Sequence, residues 1–188
     1  MAFEAARRDE PDPMDRWSKR VVDPIAIRLG ARAAYPSDKP YLPFQRWAMR
    51  AEDVHPSPLG LLIHPEHGLW HAYRAALLFD CAIVGVPPRA GVPGPCVTCV
   101  AKPCFSACPV EAFSGSSYDV AACAGHLRAD TDPRCRTLGC RARDACPVGR
   151  ASRYGDAQIR FHMRAFAKAR GSRRRATGRS PAPRDSLR

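Results

Sequence analysis

Long apolar runs are what this 188-residue chain lacks. The most apolar window, Leu69 to Val86, contains His71, Arg74 and Asp80, so it is too short and too charged to span a membrane. The opening Met-Ala-Phe-Glu-Ala-Ala-Arg-Arg-Asp-Glu has no apolar core, which argues against export and predicts a reducing, cytoplasmic setting. Acidic residues are scarce in one place only. Residues 1–95 carry 12 basic and 11 acidic side chains, residues 96–146 carry 6 and 5, and residues 147–188 carry 12 and 2. The net charge of +12 is therefore a property of the C-terminus. No aromatic residues alternate with the arginines of the tail at 172–188, so the stacking platform expected of a single-stranded nucleic-acid binder is missing from it.

What is abundant is cysteine and proline, 9 and 19 residues, pointing to a loop-rich single domain with appendages. Eight cysteines fall between Cys96 and Cys146. The first half reads C-x2-C-x4-C-x3-C-P (Cys96, Cys99, Cys104, Cys108, Pro109) and the second C-x11-C-x4-C-x5-C-P (Cys123, Cys135, Cys140, Cys146, Pro147). Eight thiolates are what two [4Fe–4S] clusters require, at four ligands each. In the bacterial two-cluster pattern the last cysteine of each run ligates the other cluster. Crossed ligation assigns Cys96, Cys99, Cys104 and Cys146 to one cluster, and Cys108, Cys123, Cys135 and Cys140 to the other. Each Cys-Pro turns the chain away after its ligand, because proline has no N–H and restricts the residue before it. Lys102-Pro103 is read as a kink that absorbs the extra residues before Cys104. Structural zinc is the competing reading, since C-x2-C with C-x4-C also suits a zinc ribbon that could serve a nucleic-acid or protein interaction module. Zinc does not account for two Cys-Pro endings.

Cys81 precedes the apolar Ala82-Ile83-Val84 and is expected to be buried and non-ligating. His64, His67 and His71 lie around Pro65 and Gly68, with Glu66 as the only nearby carboxylate, and are expected to cap a turn or pack rather than hold a metal.

The cysteine order and Leu61-Leu-Ile-His-Pro-Glu-His-Gly68 together resemble the dicluster ferredoxin-type domain, and more particularly the iron–sulfur part of epoxyqueuosine reductase. The resemblance covers roughly residues 59–150. The eight-cysteine constellation itself predicts a ferredoxin-like electron carrier, a metal-binding electron-transport protein with no substrate of its own. The enzyme alternative that the resemblance implies is a small oxidoreductase using the clusters with a corrinoid or small substrate beside His64, His67, His71 and Tyr73. The cysteine spacing of the second half and the short chain depart from that family, and no catalytic residue is carried over.

The expected fold class is α+β: a small loop-rich ferredoxin-type two-cluster module with short helices packed around it and a C-terminal amphipathic helix. Residues 1–13 are expected to be disordered, 14–95 to form a helical and extended arm on the module, and 96–150 to be the module itself. A C-terminal helix at 151–171 and a disordered basic tail at 172–188 complete the chain. Within the arm, short helices are predicted from Asp15, at 25–29 (stopped by Gly30) and at 45–52, with 35–44 extended. A buried strand is predicted at 59–63 and a helix at 69–79, followed by a Pro/Gly linker at 87–95. Residues 110–120 read as a short hairpin. In the helix starting at Asp156, Ile159, Met163 and Phe166 form one face and Arg160, Arg164 and Lys168 another. That basic face predicts a redox partner with an acidic surface, or RNA.

Overall fold

The structure is a computed structural model and describes residues 2–85, 91–129 and 132–176. Helices dominate, with a few short strands, giving an α+β chain. Its elements are α1 (Ala2–Ala6), α2 (Pro13–Arg28), β1 (Arg32–Ala34), α3 (Phe44–Ala51), β2 (His55–Pro56), β3 (Leu62–Ile63) and β4 (Ala76–Leu78). There follow four-residue helices α4 (Pro95–Thr98) and α5 (Pro103–Ser106), α6 (Val120–Ala129), α7 (Arg134–Thr137), α8 (Arg141–Asp144) and α9 (Asp156–Ala176). A 3₁₀ turn, Arg150–Ser152, precedes α9. Among the described residues no helix is long and apolar enough to cross a membrane. The chain divides into two compact units, residues 1–55 with 71–94, and residues 56–70 with 95–188. The sequence assigned 56–70 to the arm; the structure groups it with the cysteines.

In the first unit α2 is continuous through Asp23-Pro24, where the sequence predicted a break. Proline at 24 removes one backbone hydrogen bond, and packing retains the helix. Ser18 is buried and donates to the Met14 carbonyl, while Arg74 reaches Ser18 Oγ at 3.4 Å and pairs with Asp15 at 2.6 Å. The helix ends in a Schellman motif: Gly30, at φ 62°, donates to the Ile27 carbonyl and Ala31 to that of Ala26. This reversal delivers β1 to its antiparallel partner β4, with Ala33 opposite Leu77. Tyr35 follows, buried, its hydroxyl donating to Asp23. Burial raises the Tyr35 pKa, and Asp23 adds to the shift. The polar N-terminus is not wholly irregular, because α1 buries Phe3 edge-on against Trp17, ring centroids 5.7 Å apart.

The helix predicted at 69–79 does not form. Its apolar residues serve two different units: Leu69 and Trp70 are buried in the second, and Ala76–Leu78 pair with β1 in the first. Cys81 is exposed rather than buried, as are Ile83 and Val84, because β4 has ended at Leu78 and the short sheet covers nothing beyond it.

The second unit is built around Leu59, Ile63, Leu69, Ala142 and Cys146, with Cys96, Cys104, Cys108, Phe113, Cys140 and Val148 packed on them. Residues 57–68 fold back twice. Ser57 N–H donates to the Leu61 carbonyl, then His64 and Gly68 exchange backbone hydrogen bonds of 2.8 and 2.9 Å. Phe113 and Tyr118 form one antiparallel bridge with stacked rings in the segment read as a hairpin. Helix α9 packs on α6 and α7, and it runs through Gly171 to Ala176 instead of stopping at 171. Glycine costs a helix interior about 1 kcal/mol, which the strong helix formers around it offset. Of the tail expected at 172–188, residues 177–188 lie outside the described residues, as do 87–90 of the predicted linker.

Candidate functional site

Helices α5 and α8 pack against each other, and each has cysteines in or beside it. Cys104 sits in α5 and Cys108 just after it; Cys140 is the residue before α8 and Cys146 follows it. Lys102 takes a left-handed conformation, φ 38°, as the N-cap of α5, with Pro103 in the first turn. This is the kink that aims Cys104 inward.

A small cavity of about 30 Å³ is lined by Cys96, Cys99, Cys104 and Cys146. The first three come from one half of the cysteine sequence and the fourth from the other. Its remaining wall includes Ile63, Val148 and four prolines, and among the described residues Lys102 is the single charged one and no carboxylate is present. Burial pushes the Cys96 thiol up, and the neighbouring thiols of Cys146, Cys104 and Cys99 act in the same direction while Lys102 opposes them. Burial also raises Cys104, against the pull of its own backbone N–H; Cys146 and Cys99 add to the rise.

The other four thiols are linked through Cys123. Burial raises its pKa, the Tyr118 hydroxyl hydrogen bond lowers it, and Cys108 and Asp119 raise it again. Cys135, in α7, is raised by burial and by Asp132 and Cys123, with the Arg141 N–H opposing. Cys140 is pushed up to about 11, chiefly by burial and further by Cys123 and Cys135, although the N–H groups of Arg143 and Ala142 act the other way. The Ala112 N–H points at Cys108 Sγ, 3.3 Å away. Backbone donors thus face sulfur in both groups, the kind of hydrogen bonding that tunes a thiolate-bound centre.

Among the described residues, no three His, Cys, Asp or Glu side chains are grouped so as to hold a metal ion. His64 is engaged in its turn: Nδ1 accepts from the Glu66 and His67 N–H groups at 3.0 and 3.1 Å. His67 stacks on His64 and bonds Ser152 at 3.0 Å. His71 and Tyr73 belong to the first unit, where Tyr73 donates to Glu52 at 2.7 Å. The four residues watched for a corrinoid or small substrate are therefore divided between the units.

Sequence reading missed Arg143. Its guanidinium lies 4.2 Å from the Trp70 ring centroid and 4.9 Å from that of Tyr154, and it donates to the Leu69 carbonyl through Nε (3.0 Å) and Nη2 (2.5 Å). Burial lowers its pKa. A cation fixed between two aromatics, on the helix that joins Cys140 to Cys146, ties α8 to the 56–70 segment. Only a scatter of Arg and aromatic residues marked it in the sequence.

Two glycines make the same junction tighter. A Cβ on Gly68 would stand 2.1 Å from the Val148 carbonyl oxygen, and one on Gly149 would stand 2.1 Å from the His67 carbonyl carbon. Backbone meets backbone there, immediately after Cys146-Pro147. No family model, curated protein or solved structure matches this chain.

Proposed function

We propose that this chain is a ferredoxin-like electron-transfer protein that holds two [4Fe–4S] clusters. The observation that carries the reading is the cavity lined by Cys96, Cys99, Cys104 and Cys146, three consecutive thiols and one delivered from 42 residues further on. Cys108, Cys123, Cys135 and Cys140 form the complementary set. Four soft sulfur donors without a carboxylate or imidazole among them suit iron–sulfur ligation. A cubane takes one thiolate per iron, so its ligands surround a body and need not meet at the single point a lone zinc ion demands.

When bound, each cluster supplies one-electron storage and release. The chain's part is to hold and shield. Ile63, Val148 and the cavity prolines exclude water, and backbone N–H groups of Ala112, Arg141, Ala142 and Arg143 direct positive dipoles at sulfur. The partner in this reading is a redox protein with an acidic surface, met in a reducing cytoplasm.

Anaerobically purified chain is expected to be brown and to contain about eight irons with matching acid-labile sulfide. Colourless protein with stoichiometric zinc overturns the proposal in favour of a structural zinc module. Cobalamin added to the iron-loaded protein is expected to leave its spectrum unchanged; tight binding would move the reading to a corrinoid-using reductase.

A further inference from the structure

Helices α7 and α9 enclose an open groove of about 400 Å³, with Arg136, Arg160 and Arg164 on its walls and Pro133, Met163 and Ala167 among its apolar lining. Among the described residues no carboxylate lines it. Nearby arginines are neutralised within the fold: Asp132 takes Arg134 and Arg141, each at 3.2 Å, and Arg153 pairs with Asp144 and Asp156. Arg160 and Arg164 are exposed and make no ion pair among the described residues. Their i, i+4 spacing puts both on one face of α9.

The two helices meet beside the groove at a close contact. Ile159, buried, sits against Gly139, where a Cβ would approach Ile159 Cγ2 to 2.8 Å and where φ is +98°. Glycine satisfies both conditions without displacement, so the Ile159 side chain of α9 packs directly on the backbone just after α7.

We propose that this groove is the docking site of an acidic protein segment, one carrying carboxylates for the arginines and an apolar side chain for the floor. The site rests on the electron-carrier reading for its purpose: Arg136 is the residue after Cys135, so a partner held there lies beside the second cysteine set. Guanidinium forks bind carboxylates bidentately. Met163 supplies an adaptable apolar contact. RNA is the poorer fit, because among the described residues no aromatic side chain lines the groove to stack on a base.

The test is fluorescence anisotropy with the full chain, using a labelled twelve-residue Glu/Leu peptide and, in parallel, a labelled oligouridine. The peptide is expected to bind, with affinity falling as salt rises. Arg160→Glu with Arg164→Glu is expected to weaken it at least about tenfold. The charge-matched Arg179→Glu with Arg184→Glu is expected to weaken it less than about threefold. Arg160→Gln with Arg164→Gln is expected to fall between, and circular dichroism checks that each variant is folded. Equal losses in the two charge-reversed pairs, or no peptide binding at all, overturn the proposal. So does tighter oligouridine binding that depends on Arg160 and Arg164. Iron content is measured on the same samples: brown protein that ignores the peptide sinks the docking site alone, whereas colourless protein sinks the electron-carrier reading.

Discussion

Replacing Gly149 with alanine tests whether the backbone junction behind Cys146 is as tight as its geometry implies. The added Cβ would lie 2.1 Å from the His67 carbonyl carbon and 2.3 Å from the Gly68 nitrogen. Carbon contacts normally settle near about 3.5 Å, so one segment must retreat by more than about 1 Å. Overpacking of this kind costs about 1–3 kcal/mol. Holding alanine at the left-handed φ of 72° adds about 1–2 kcal/mol. A combined loss of about 2–5 kcal/mol lowers the melting temperature of a chain this size by roughly 4–20 °C. Gly60 provides the control, because its φ is 71° and nothing lies within 4 Å of its Cβ position. Gly60→Ala should cost only the conformational share, about 1–2 kcal/mol. Thermal denaturation followed by circular dichroism compares the two variants. If Gly149→Ala melts no lower than Gly60→Ala, the contact is not tight and the argument fails.

Cys108→Ala should reduce iron content by about half, removing the centre served by Cys123, Cys135 and Cys140; loss of the centre served by Cys96, Cys99 and Cys104 instead would refute the crossed assignment. In the first unit, the Lys19 hydrogen bond holds the Asp38 carboxyl below its usual range, although burial opposes it, and the Tyr35 N–H helps. A depressed carboxylate pKa stabilises the fold above the unfolded value and ceases to do so as pH falls through the folded one. Asp38→Asn should therefore lower the unfolding midpoint at pH 7, with the gap to the parent chain closing as pH falls below roughly 4; a gap that widens in acid would refute the assignment.

How much of this was legible depended on whether the signal was local. Gly30 after an apolar helical run announced its Schellman stop, and the Phe113–Tyr118 pairing sat within one short segment. Cysteine spacing drew attention to the eight thiols because each ligand run is close in sequence. The apolar positions from Leu69 to Leu77 matched a helix yet belong to two units, since periodicity records where apolar residues stand and not what they face. Cys81 looked buried because its neighbours are apolar, but burial requires a covering element, and among the described residues none covers Cys81, Ile83 or Val84. Arg143 was invisible for the opposite reason: its partners Leu69, Trp70 and Tyr154 are brought to it only by the folded chain.

On the proposed crossed assignment, the sharing of cysteines between the two halves also sets a schedule for biosynthesis. Cys96, Cys99 and Cys104 emerge from the ribosome early, but the thiol that completes their set, Cys146, follows Cys104 by 42 residues. At about 5–20 residues per second, that interval is roughly 2–8 s. Cys108 likewise waits for Cys123, Cys135 and Cys140. Neither set can close on a partial chain, and both become complete within six residues of each other, at Cys140 and Cys146. A translation product arrested between these halves would present thiols without a finished site, exposed to oxidation and to the wrong metal. On the two-cluster reading proposed above, delivery of iron and sulfide is a late event, timed by the synthesis of α8.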